Sequence, residues 1–437
     1  MSMSSLNEID QLPAPLDLYW WRKAPPILMA VGGALSVVGG VLNPAEFGFS
    51  WLLGFMFCLS LALGALFLVM MHHLSDAGWS VATRRICEHL AALLFPWLAL
   101  LFLPVAFLAK RIYAWMTLDP AGNTSLSAKL PVFTVPGFWV TSAIFFAVWW
   151  LLSSRLRYWS LKQDETGDAR CTHRMRFHSG WGIVVFGLTL TFSGVLWMQA
   201  VQYLWFSAVY GVYLFASYTW AALAIVYLLA VLLQRQRILT AVLRGNQFYF
   251  LGLLFFAFTI FQAYNEFTQY FVIWNANMPG ETFWYLVREN GSWWWLSLLL
   301  IFGHFLLPFF VLLPAKAKSD ARIMVPICAW ALAMHFLDLS FNILPTLHPN
   351  GYPLHFLDLS FNTLPTMHPN GYPFRWLWLQ AGCLMFMGGF LGRIFRKSFN
   401  RHAPFPQRDP RLLEAMGVNY LVPGEIPDSA STAGGPS

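Results

Sequence analysis

The stretch GFSWLLGFMFCLSLALGALFLVMMHHLSDAGWSVATRRICEHLAALLFPWLALLFLPVAFLA, residues 48–109, decides the fold. Residues 48–72 and 88–109 are apolar runs long enough to cross a hydrocarbon layer of about 30 Å as helices. The polar stretch between them turns the chain around at a membrane surface. Working outward, eight more runs have the same character, at 25–43, 133–158, 178–201, 209–233, 246–273, 290–314, 321–343 and 374–395. The expectation is an all-α polytopic membrane protein with ten transmembrane helices.

Composition agrees. Of 437 residues, 58% are hydrophobic and 11% charged, against about 25% charged in soluble chains, which excludes a soluble globule. Aromatic residues make up 18% of the chain and suit a lipid-facing surface with interfacial belts, to which Trp293, Trp294 and Trp295 are assigned. Residues 1–24 form an N-terminal segment in which Trp20, Trp21, Arg22 and Lys23 stand directly before the first run, so that run reads as a retained span and not a cleaved leader. Residues 396–437 form a tail, a docking arm that ends in the unstructured composition DSASTAGGPS.

Of the 27 Lys and Arg residues, only Lys110, Arg111, Lys129, Arg288 and Arg375 fall on one side of the ten runs. The rest lie on the other side, which places both termini in the cytoplasm. The formal charge of +7 is scattered between spans and forms no long basic run, so nucleic acid is not a partner. The cysteines Cys58, Cys87, Cys171, Cys328 and Cys383 are far apart, and no CxxC, CxxCH or zinc spacing occurs. No covalently bound cofactor, no metal and no haem are therefore expected on this chain. Phosphate loops, dinucleotide fingerprints and nucleophile elbows are likewise missing from the sequence.

A tandem duplication follows the ninth run: MHFLDLSFNILPTLHPNGYP at 334–353 and LHFLDLSFNTLPTMHPNGYP at 354–373 agree at 17 of 20 positions. The apolar part of the second copy is too short to cross a membrane, so residues 344–373 read as an outer loop.

Ionisable groups in or beside a span are costly to bury and mark candidate sites. One set lies at the cytoplasmic ends of runs two and three: His72, His73, Asp76, Arg84, Arg85 and Glu88. On a helix His72 and Asp76 would share a face, as would Arg84 and Glu88. The set reads either as a proton-passing cluster, since His titrates near neutral pH, or as an ion-paired corner anchoring the headgroup boundary. The second set lies in the outer halves of runs seven to nine: Glu266, His304, His335 and Asp338. Glu266 reads as an unpaired carboxyl at membrane depth. His335 and Asp338, three apart, share a face near the outer surface, as a quinol deprotonation site or proton exit requires. Gln199, Gln202 and Tyr203, at the end of run five, are candidates to hydrogen-bond a quinone carbonyl.

Four segments together resemble one family: HHLSDAGWSVATRR (72–85) with Glu88, FWYLVRENGSWWWLSLLLIFGHFLLPFFVLL (283–313), MHFLDLSFNILPTLHP (334–349) and RDPRLLEAM (408–416). They are similar to the ActF-type membrane subunit of bacterial alternative complex III, a quinol-oxidising complex, within the NrfD-like (polysulfide-reductase-type) membrane proteins. The resemblance implies two four-helix bundles, at about 48–201 and 209–343, flanked by the first and last spans in a bacterial inner membrane. It also implies a homologous NrfD-like subunit, a periplasmic iron-sulfur subunit, multihaem cytochrome c subunits and small membrane subunits as partners, with lipid around them. Haem and iron-sulfur clusters would then sit only on partners, and quinone or menaquinol would be the small-molecule ligand. By position, His72 or His73 with Asp76, Arg84, Arg85 and Glu88 would mark a cytoplasmic half-path for protons. The competing readings are a secondary transporter, which calls for broken helices at matching positions in two halves, and a purely structural subunit.

Overall fold

The computed structural model describes residues 19–120, 124–236, 242–243, 245–289, 292–347 and 376–412. Ten helices among them are long and apolar enough to span a membrane: α1 Trp21–Leu42, α2 Pro44–Leu74, α3 Gly78–Phe107, α4 Val135–Thr166, α5 Ala169–Gln202, α6 Tyr210–Arg235, α7 Gly245–Ala276, α8 Trp293–Leu312, α9 Ala321–Thr346 and α10 Leu377–Phe399. No strand occurs among the described residues, as a chain in lipid requires when every backbone N–H and C=O must find a partner.

The helix starts follow local chemistry. Asn43 accepts from the Ala45 and Glu46 amides ahead of α2, with Pro44 at its first position. Thr134 caps α4, Asp168 caps α5 and Asp320 caps α9 in the same way. Gly167, at φ 69°, ends α4 in the left-handed conformation that a glycine enters without strain.

α2, α3, α4 and α5 pack in a closed ring, each against the next and α5 back on α2; α6, α7, α8 and α9 do the same. The rings meet where α2 touches α6 and α9 and where α5 touches α6, while α1 and α10 pair with each other and lean on α2. The architecture is two four-helix bundles with two flanking helices. Exposed Val37, Val41, Phe107, Phe192, Phe267 and Phe310 form part of an apolar outer surface.

Lipid is as apolar as leucine, so close approach of backbones, not burial from water, holds such helices together. A Cβ on Gly64 of α2 would lie 2.2 Å from the Tyr218 carbonyl oxygen of α6, at the seam of the two bundles. Gly64→Val is therefore expected to cost about 1–3 kcal/mol. Thermal unfolding in detergent checks this against Gly187→Val, whose Cβ would meet nothing within 4 Å.

Four helices depart from the apolar runs: α4 continues to Thr166 and α5 begins at Ala169, each beyond its run, and α3 and α8 are irregular. α3 begins ten residues before its run, because Arg84 and Arg85 are paired with Glu88, Asp164 and Asp409 and can enter the helix. It is then interrupted at Leu94–Leu98, where the Leu98 amide reaches back five residues to the Leu93 carbonyl. α8 has a similar wide turn at Leu300–Leu306, which carries His304. In the tryptophan run Trp294 and Trp295 face outward, whereas Trp293 is buried in the core and does not belong to a belt. The second copy of the duplication, with the end of the first, lies outside the described residues.

Candidate functional site

The first polar set gathers where α2, α3 and α4 reach the basic face. Arg84 donates from Nε to Glu88 Oε1 at 3.0 Å, from Nη2 to Ser160 Oγ at 3.3 Å and from Nη1 to Asp409. Arg85 donates to Glu88 Oε2 at 2.8 Å and to Asp164 of α4. Ser160 also donates to Glu88 Oε1 at 2.7 Å. His72 meets Ser80 Oγ through Nδ1 at 2.6 Å and Arg84 through Nε2 at 3.3 Å. His73 is buried beside it with both ring nitrogens unpartnered among the described residues.

The pairing of Arg84 with Glu88 is as expected from their spacing. The pairing of His72 with Asp76 is not formed. α2 ends at Leu74, and Asp76 sits beyond it at φ 53° with its side chain 58% exposed. Its carboxylate turns instead to Arg176 of α5 and to Arg411, each at 2.8 Å. The tail thus supplies two members of the cluster, Asp409 and Arg411, that no local spacing could have indicated.

The second set lies at the seam between the bundles and is larger than the sequence suggested. His335 is fully buried, its Nε2 2.8 Å from Ser60 Oγ of α2 and its Nδ1 3.0 Å from Ser217 Oγ of α6. Ser217 also stands 3.4 Å from Asp338 Oδ2. Asp338 Oδ1 accepts from Tyr213 OH at 2.5 Å and from Asn342 Nδ2 at 3.3 Å, and Tyr210 donates to Asn342 Oδ1 at 3.2 Å. His335 and Asp338 do share a face, and both are enclosed between helices.

Hydrogen-bond inventory fixes the direction of the chain. With the Ser60 hydroxyl donating to the Phe57 carbonyl at 2.7 Å, its oxygen accepts from His335, and Nε2 carries the hydrogen in that arrangement. Ser217 has one proton for two acceptors. Directed at His335 Nδ1, it keeps the ring neutral. Directed at Asp338 Oδ2, it accepts from a doubly protonated ring. Rotation of one hydroxyl thus connects two states that differ only in whether histidine or aspartate holds a proton.

Glu266 corrects another expectation. It is neither unpaired nor fully buried: its side chain is 29% exposed, it accepts from Gln262 Nε2 at 2.9 Å, and its Oε1 is 3.3 Å from His304 Nδ1. The wide turn in α8 supports this contact, as such turns frequently re-aim side chains at functional positions. His304 Nε2 is buried without a partner among the described residues, and Glu266 and His304 both lie within Coulombic reach of Asp338. The four candidates therefore form one cluster, with Glu266 its most exposed member.

Gln199 and Gln202 are buried at the end of α5, Gln202 with neither end of its amide partnered among the described residues, and the Tyr203 carbonyl accepts from Lys129. They take no part in the hydrogen bonds of His335 and Asp338 given above. The sequence reading missed Ser60, Tyr210, Tyr213, Ser217 and Asn342. A hydroxyl in an apolar run carries no charge to draw attention, though the serine and tyrosines of YGVYLFAS (210–217) at four- and three-residue spacing do mark one polar face. No protein-family model matches the chain, and no curated protein sequence matches it.

Proposed function

We propose that the chain is the ActF-type membrane subunit of a quinol-oxidising complex of the alternative complex III class in a bacterial inner membrane. In this reading electrons travel through partner iron-sulfur and multihaem cytochrome c subunits, and this subunit moves protons linked to quinol oxidation. The observation that carries it is the Ser217 bridge between His335 and Asp338. A buried acid and a buried base on α9, bridged by one rotating hydroxyl on α6, form a unit that can pass a proton between them. Glu266 and His304 extend the cluster, and the residues of α2 tie it to the first bundle.

The first cluster supports a different role from the half-path suggested by position. Arg84, Arg85 and Glu88 are bonded to one another and to neighbours on α4 and the tail, which favours an anchoring corner. A secondary transporter is less well supported. The irregular turns fall in the second helix of one bundle and the third of the other, whereas alternating-access folds break corresponding helices.

Purification from the native membrane in mild detergent tests the reading. Iron-sulfur and c-haem proteins are expected to accompany a chain that is itself colourless, with quinone extractable from the assembly. A solitary protein with no redox partners would overturn it.

A further inference from the structure

After α10 the chain turns back and lies across the ends of α2, α3 and α4. The Gln407 amide donates to Asp164 Oδ1 at 3.1 Å, and Arg408 donates to the Glu165 carbonyl at 2.7 Å. Phe405 and Leu412 are buried. Between them Asp409, its side chain fully enclosed, receives Arg84, and Arg411 bonds both Asp409 oxygens and Asp76. A carboxylate 325 positions from its arginine thus occupies the cationic mouth of the first cluster.

We propose that residues 400–412 form a removable cap, in which the Asp409 carboxylate, clamped by Arg411 of the same segment, plugs the mouth at Arg84 and keeps water from His72, His73 and Glu88. Three observations point this way. Most of the cap's attachments are side-chain ion pairs and hydrogen bonds, so it can lift without unwinding a spanning helix. His73, whose field includes Arg84, Arg411 and Asp409, has two buried ring nitrogens with no partner among the described residues; such a group gains when water reaches it. Cys87 and His72 line a crevice whose wall includes Arg84, the residue that Asp409 covers. The geometry of the cap is independent of the function proposed above; that the admitted species is the proton rests on that reading.

Acidification within the physiological range does not release the cap. Burial alone would raise the Asp409 carboxyl, but Arg84 and Arg411 outweigh it and hold the value at about 2, against an ordinary 3.8. His72 and His73 on α2 also face this cluster. A lowered folded-state value means the contribution is complete above about 3.8 and is lost as pH falls through about 2. Displacement by a competing charge is the route that remains.

The test uses the full chain in mild detergent and alkylation of its buried cysteines by N-ethylmaleimide, read by peptide mass spectrometry. Cys87 reports the crevice at Arg84, and buried Cys383, bonded to Ser36 of α1, reports general loosening. Asp409→Ala is expected to raise the labelling of Cys87 relative to Cys383 by about tenfold or more. Arg411→Ala, which keeps the Asp409–Arg84 pair, gives a smaller rise and serves if the first variant does not fold. An unchanged ratio, or a parallel rise at both cysteines, would overturn the proposal. In wild-type protein, hydrogen exchange of peptides covering His72 to Glu88, corrected for intrinsic rates, is expected to stay equally slow from pH 7 to pH 4; loss of protection in that window also counts against it.

Discussion

Asp338→Asn is expected to leave the protein folded and assembled while slowing proton transfer through the seam on the order of a hundredfold. The amide has the shape of the carboxylate it replaces, so its oxygen still accepts from Tyr213 and Asn342. Its nitrogen then faces Ser217, which must accept that N–H and turn its own proton to His335 Nδ1, 3.0 Å away. The ring is locked neutral, and the second state of the chain disappears. Ser217→Ala removes the relay and should act in the same direction, whereas Glu266→Gln, which keeps an oxygen for Gln262 and lies outside the Ser217 bridge, has a smaller effect. The measurement is proton release per electron in reconstituted vesicles, beside turnover and the thermal midpoint. Wild-type coupling in both Asp338→Asn and Ser217→Ala would remove the seam from any proton path.

The contrast between what the sequence revealed and what it concealed follows from distance along the chain. Ten spans were legible because a helix in lipid must be a continuous apolar run. The Arg84–Glu88 pair was legible because both partners lie on one helix, four apart. His72 and Asp76 have the same spacing and failed, because α2 stops at Leu74 and the chain enters a left-handed turn at Asp76. Asp409 and Arg411 belong to the cluster only through tertiary folding, and no periodicity links position 84 to position 409. At the seam, His335 and Asp338 were singled out by their charge, yet their partners are neutral hydroxyls on α2 and α6. Those partners come within reach because Gly64 lets the two backbones touch, a contact that a single glycine in a run of leucines does not announce. Glu266 looked unpaired for a related reason: its partner His304 is 38 positions away, on a different helix.

Arg84→Met is expected to destabilise the protein by about 3–5 kcal/mol, the usual result of removing one member of a buried ion pair. The methionine fills much of the volume, so the loss is electrostatic and not a cavity. Glu88 keeps Arg85 and Ser160, but among the described residues Asp409 keeps only Arg411, and His72 Nε2 loses its neighbour. Because the arginine and both carboxylates are all but sealed from solvent, water cannot take its place without opening the corner. Asp76→Asn provides the contrast. It also breaks ion pairs, but at a carboxylate 58% exposed, and its cost should stay within about 1 kcal/mol. A double variant, Arg84→Met with Asp409→Asn, discriminates further: once the stranded carboxylate is neutralised, part of the penalty returns, and a coupling of about 0.5–3 kcal/mol is expected in the cycle. Thermal unfolding in detergent, followed by tryptophan fluorescence, measures all three. If Arg84→Met costs no more than Asp76→Asn, the corner is solvated in solution, and neither an anchoring role nor an ion-paired cap can be sustained.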